Sequence, residues 1–72
     1  MYIGERRMTK TQIRITKKHA RELVEQLQKD PNYIPYKSQT DEYWSFLAKK
    51  GCVNITIYKF DKKYYLQIDS LS

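Results

Sequence analysis

Residues 41–50, DEYWSFLAKK, decide the fold of this chain, because they read equally well as a helix and as a strand. As a helix the segment is well punctuated. Thr40 offers a capping hydroxyl, Asp41 and Glu42 sit at the positive end, Lys49 and Lys50 at the negative end, and Gly51 follows. Tyr43, Trp44, Leu47 and Ala48 then share one face. As a strand, its Tyr, Trp and Phe suit a pleated surface, and Lys50-Gly51 turns the chain back as a hairpin. The strand is the preferred reading, since it makes the sheet wide enough for one helix to cover.

Downstream, the alternation is unambiguous. Val53, Ile55 and Ile57 alternate with Asn54, Thr56 and Tyr58, and Tyr64, Leu66 and Ile68 alternate with Tyr65, Gln67 and Asp69. A two-residue loop at Lys62-Lys63 pairs Ile57 with Ile68 and Phe60 with Tyr65. Val53, Ile55, Ile57, Leu66 and Ile68 then form one apolar face, which a slip of one residue would expose. Cys52 opens the first of these strands as a small buried group.

Upstream, residues 10–16 (KTQIRIT) form a half-buried strand with Gln12 and Arg14 on one face and Ile13 and Ile15 on the other. Thr16 caps a helix over 17–29, in which Ala20, Leu23, Val24 and Leu27 make one apolar stripe. Asp30-Pro31-Asn32 ends it. Residues 31–40 read as an irregular connection, with Tyr33, Ile34 and Tyr36 packed onto the domain edge. The prediction is one α+β domain over 1–72, with order β-α-β-β-β, or β-α-α-β-β if 41–50 is helical.

Residues 1–9 are expected to be disordered or a non-native extension. Gly4-Glu5-Arg6-Arg7 can be encoded by purines alone, like a bacterial ribosome-binding site, which makes Met8 a candidate natural start. The intact mass of the natively expressed protein decides.

Composition narrows the function. At 72 residues the chain buries only about 60% of its unfolded surface. Cys52 and His19, the single residues of their types, predict no disulfide and no metal site. A lone cysteine, the lack of an apolar leader and the lack of a spanning segment point to a cytoplasmic protein without a membrane partner. No cofactor-binding motif or catalytic set is present, since Gly4 and Gly51 are isolated and carboxylates do not cluster. The prediction is a non-enzyme, with a small basic ribonuclease toxin as a remote alternative.

The net charge of +6 lies entirely in the first third. Residues 1–21 hold seven bases against Glu5, while 22–72 balance seven bases with seven acids. Such asymmetry predicts a polyanionic partner, and equally a plain solvated face. Lys10, Arg14, Lys17, Lys18 and Arg21 are the candidate phosphate contacts, joined by Lys62 and Lys63 at the hairpin tip. Tyr58, Phe60 and Tyr65 form an aromatic cluster on the outer sheet face, read as cross-strand packing, as a protein interface, or as a stacking platform for single-stranded nucleic acid.

Two functions follow as expectations. The first is a DNA- or RNA-binding module of phage or mobile-element origin. The second is a protein-protein inhibitor of a host or defence (CRISPR-type) nucleoprotein complex, meeting an acidic or nucleic-acid-binding surface. Homodimerisation through the hairpin edge or aromatic face is a further expectation.

Overall fold

The computed structural model describes residues 8–36, 39–40 and 42–71. Strand β1 (Met8–Ile15) leads into helix α1 (Lys17–Lys29), followed by β2 (Tyr33–Pro35), β3 (Tyr43–Ala48), β4 (Val53–Phe60) and β5 (Lys63–Leu71). The five strands form one antiparallel sheet in the order β1-β5-β4-β3-β2. Since β1 and β2 occupy opposite edges, the helix joining them has to cross the sheet. This is broadly α+β, with most of the described residues in strands.

Thr16 is extended, and its Oγ1 accepts from the His19 N–H at 3.1 Å, satisfying one of the free donors of the first helical turn. At the other end the Asp30 N–H donates to the Leu27 carbonyl (3.2 Å), and the Asp30 carboxylate accepts from the Asn32 N–H (2.8 Å). The chain thus leaves the helix at Pro31. Ala20 and Val24 are buried against Phe46, Ile57 and Tyr64, with Ile15, Leu23, Leu27, Tyr33, Trp44, Ile55 and Leu66 packed around them.

Within the ambiguous segment Tyr43–Ala48 forms a strand, β3, which excludes the β-α-α-β-β order. The physical reason is Phe46, which is 1% exposed and central to the core. A helix would place Phe46 away from the Tyr43, Trp44, Leu47 and Ala48 face, whereas a strand puts Trp44, Phe46 and Ala48 together toward α1. The punctuation serves turns instead. Thr40 Oγ1 accepts from the Glu42 N–H (3.1 Å), and Gly51, at φ 78°, donates its N–H to the Ala48 carbonyl at 2.7 Å.

Five expectations are corrected. The 31–40 connection contains a short edge strand, β2, paired with β3 through Tyr33↔Ala48 and Pro35↔Phe46, so the order is β-α-β-β-β-β. Pro35 is tolerated because it ends an edge strand. Only Tyr33 of that segment packs inward, while Ile34 and Tyr36 are exposed. Cys52 lies half-buried in the bend before β4, not in the strand.

The fourth correction concerns the last hairpin. Its loop is Asp61-Lys62, pairing Phe60 with Lys63 and Ile57 with Leu66. Both loop residues adopt positive φ (53° and 64°), and Asp enters that region more readily than Lys. The difference from the expected register is two residues, so partners change but every side chain keeps its face. The first strand also begins earlier than expected: Met8 and Thr9 pair with Leu71 and Ser70. Residues 1–7, and with them the expected extension and Arg6 and Arg7, lie outside the described residues.

Candidate nucleic-acid interface

The strand order places two distant stretches of sequence side by side. β1 is hydrogen-bonded to β5 up to Ile15↔Tyr64, and β5 to β4 through Lys59↔Tyr64 and Phe60↔Lys63. The start of α1 and the β4–β5 turn therefore meet at one end of the sheet. Between them is an open groove of about 470 Å³, lined by Arg14, Ile15, Thr16, Lys17, Lys59, Lys62, Lys63 and Tyr64. Ile15 and the buried Tyr64 give it an apolar base, and five cationic side chains surround it.

Lys59 alone among these cations has an acidic partner among the described residues. Its Nζ lies 3.0 Å from Glu42 Oε2, and its backbone N–H donates to the Glu42 carbonyl at 2.9 Å. The hydrogen bond that Lys59 donates to Glu42, then the Glu42 charge, raises the Lys59 pKa above the ordinary 10.5. A raised pKa stabilises the folded form fully below the unfolded value and ceases to do so as pH climbs through the folded one. The pair is therefore intact at neutral pH, and its loss belongs to the alkaline range. Arg14, Lys17, Lys62 and Lys63 form no ion pair with a described residue.

Three features of this end run against local stability. The first turn of α1 contains no acid, and Lys17 opens it with Lys18 next, although cations are unfavourable at a helix N-terminus by about 0.3–1 kcal/mol each. Five cations crowd one groove, four of them without an acidic partner among the described residues. Asp61 and Lys62 hold left-handed backbone conformations that cost roughly 1–2 kcal/mol per non-glycine residue. A bound polyanion would offset the first two directly.

The other sequence candidates are placed differently. Lys10 lies on the open face across from Asp69, four residues or about 13 Å along β1 from Arg14. Lys18 and Arg21 line a second, mixed-charge groove of about 500 Å³ that also contains Glu22 and Glu25, sharing Lys17 with the first. Lys59 was missed by sequence reasoning, because only the β1-β5-β4 adjacency carries it toward Arg14. The local signal was its place in Lys59-Phe60-Asp61-Lys62-Lys63, a run that is basic on both sides of a turn.

The aromatic cluster divides in two. Tyr58 and Tyr65 are cross-strand partners with stacked rings, centroids 5.5 Å apart and 27° between planes. Gln12 Nε2 donates to the Tyr58 hydroxyl, tying that ring across β5 to β1. The register continues the row to Tyr43 on one side and Arg14 on the other. Phe60 belongs to the same face but is 69% exposed. Behind the row the face is polar: Thr56 Oγ1 donates to Asn54 Oδ1 (3.1 Å), and Gln67 Nε2 donates to Asp69 Oδ2 (3.1 Å). Asp69 thus sets a carboxylate at the end of the open face remote from the basic groove.

Among the described residues no group of three or more His, Cys, Asp or Glu side chains is placed to hold a metal ion. No described helix is long and apolar enough to cross a membrane. Compared with protein-family models, with curated proteins and with solved structures, the chain matches none.

Proposed function

We propose that this protein binds nucleic acid through its phosphate backbone, using the groove between the start of α1 and the β4–β5 turn. The observation that carries the reading is the convergence of Arg14, Lys17, Lys62 and Lys63, without acidic partners among the described residues, on one open concavity. A shallow, open groove with cations along both sides suits a chain-like polyanion more than an enclosed small molecule. Lys10, Lys18 and Arg21 are peripheral in this reading. The reading is one of binding and assigns no catalytic step to the groove.

Binding of generic single-stranded DNA and RNA across a salt series tests it. Neutralising about four phosphates gives a slope of log affinity on log salt near −3 for single strands, a loss of roughly 50-fold between about 50 and 200 mM salt. Affinity that is absent at low salt, or indifferent to salt, ends the proposal.

A second reading, a protein contact, is favoured by the other edge of the sheet. There Ile34, in the short strand β2, and Tyr36, just beyond it, are 41% and 52% exposed. Recovery of one protein partner after nuclease treatment, lost on replacing Ile34 by Ser, supports that reading. Loss of every partner on nuclease treatment supports the first.

A further inference from the structure

We propose that Phe60 is a base-stacking side chain and that the ligand of the basic groove is single-stranded. This deepens the nucleic-acid reading and rests on it. The tip of the β4–β5 hairpin projects beyond its neighbours. Pairing of β4 with β3 ends at Tyr58↔Tyr43, and pairing of β5 with β1 ends at Tyr64↔Ile15, so Phe60 to Lys63 pair only with each other. At this tip Phe60 is the most exposed large apolar side chain among the described residues. A single exposed apolar residue is ordinary in itself. Its surroundings are not: Lys63 is its direct cross-strand partner, Lys59 precedes it, Lys62 follows after Asp61, and the floor of the groove lies beside the same turn on the opposite face of the sheet.

The spacing on that face fits a base. Phe60 and Tyr58 are two residues apart on one strand, which separates their levels by about 6.7 Å. That is twice the ~3.4 Å rise between stacked bases, so the strand spacing leaves room for one planar base on the Tyr58 side of the exposed ring. The Tyr58 and Tyr65 rings face each other across the two strands and, with Gln12, make a fixed border to that space, while Phe60 supplies the open stacking face. Lys63, across from Phe60 on β5, and Arg14, beyond Tyr65 on β1, both lie to the β5 side and supply two cations for the flanking phosphates. Bases in a duplex are already stacked on both faces and must be unpaired to enter, whereas those of a single strand enter at little expense.

The test separates phosphate binding from base stacking. Fluorescence anisotropy compares a short oligothymidylate with an abasic oligomer of equal length and charge, and with the duplex, at one low salt concentration. The wild-type protein is expected to prefer the base-bearing strand by roughly 5- to 150-fold over the abasic one and to bind the duplex more weakly. Phe60→Ala should abolish the preference while leaving the salt slope unchanged. Phe60→Trp should retain it and show quenched indole fluorescence on binding. An unfolding curve for each variant confirms that this exposed position leaves the fold intact. Equal affinity of wild-type protein for the two strands overturns the inference alone, as does tighter binding of the duplex or an unaltered preference in Phe60→Ala. Failure to bind any of the three overturns the groove reading as well.

Discussion

Neutralising three groove cations together, as Arg14→Gln, Lys17→Gln and Lys63→Gln, is expected to reduce single-strand affinity by two to three orders of magnitude at about 50 mM salt. The estimate follows from counterion release, since each lost phosphate contact removes about 0.7 from the salt slope. The matched control is Lys29→Gln, Lys49→Gln and Lys50→Gln, which removes the same charge from the opposite end of the molecule. Lys49 and Lys50 lie in the β3–β4 turn, and Lys29 ends α1, where its Nζ is 3.1 Å from Glu25 Oε1. If nucleic acid merely follows net charge, the two triple variants lose affinity equally. If the groove is the site, the control changes little beyond the long-range contribution of its charge. Stability separates the two further. The groove residues are exposed and mutually repulsive, and Lys17 stands at the unfavourable end of a helix dipole, so the groove variant should unfold at an equal or higher urea concentration than wild type. Loss of binding with no loss of stability would identify the cations as functional groups retained against local preference.

The second large effect concerns the fold. Phe46→Ala is expected to lower the unfolding free energy by about 3–5 kcal/mol, the usual range for truncating a buried Phe. A 72-residue domain has roughly 4–11 kcal/mol in total, so a large fraction of the variant is unfolded in dilute buffer when the total is near the lower bound. Urea unfolding followed by the fluorescence of Trp44 reports it, because Trp44 lies two residues away on the same face of β3 and opposite Ile57. Were 41–50 a helix with Phe46 on its solvent side, the same change would be nearly neutral. The measurement therefore also checks the segment on which the fold turns.

The ambiguity of that segment has a physical source. A hydroxyl that accepts a backbone N–H and a glycine at positive φ end helices, but they also close the turns around a strand. Thr40 and Gly51 do the latter. Helix α1 was legible to the residue, because its stripe, its Thr16 cap and its Pro31 stop all agree. Strand β2 was not, because three residues containing a proline have no periodicity, and it is pairing with β3 that makes them a strand. The last hairpin was legible in its faces and not in its partners, since a period of two is blind to a shift of two. For the same reason Tyr58, Phe60 and Tyr65 were rightly grouped on one face, but their separation into a stacked pair and an exposed ring depends on side-chain contacts that sequence does not carry.

The charge map changed most. In sequence the basic third and the balanced remainder are separate regions. In the fold Lys59, Lys62 and Lys63 from the balanced part join Arg14 and Lys17, while Lys10 points across the open face toward the Asp69 end. Net charge along the chain showed that a polyanion was a candidate partner. The sheet order determines which cations lie together.

Following backbone amide shifts while an oligothymidylate is titrated into isotopically labelled protein tests the central claim most directly. The expected result is a set of large, salt-sensitive shifts confined to Arg14–Lys17 and Lys59–Tyr64, with Lys29 and Lys49–Gly51 unmoved. Shifts centred on the β3–β4 turn or on Ile34 and Tyr36, or no shifts at low salt, would contradict it.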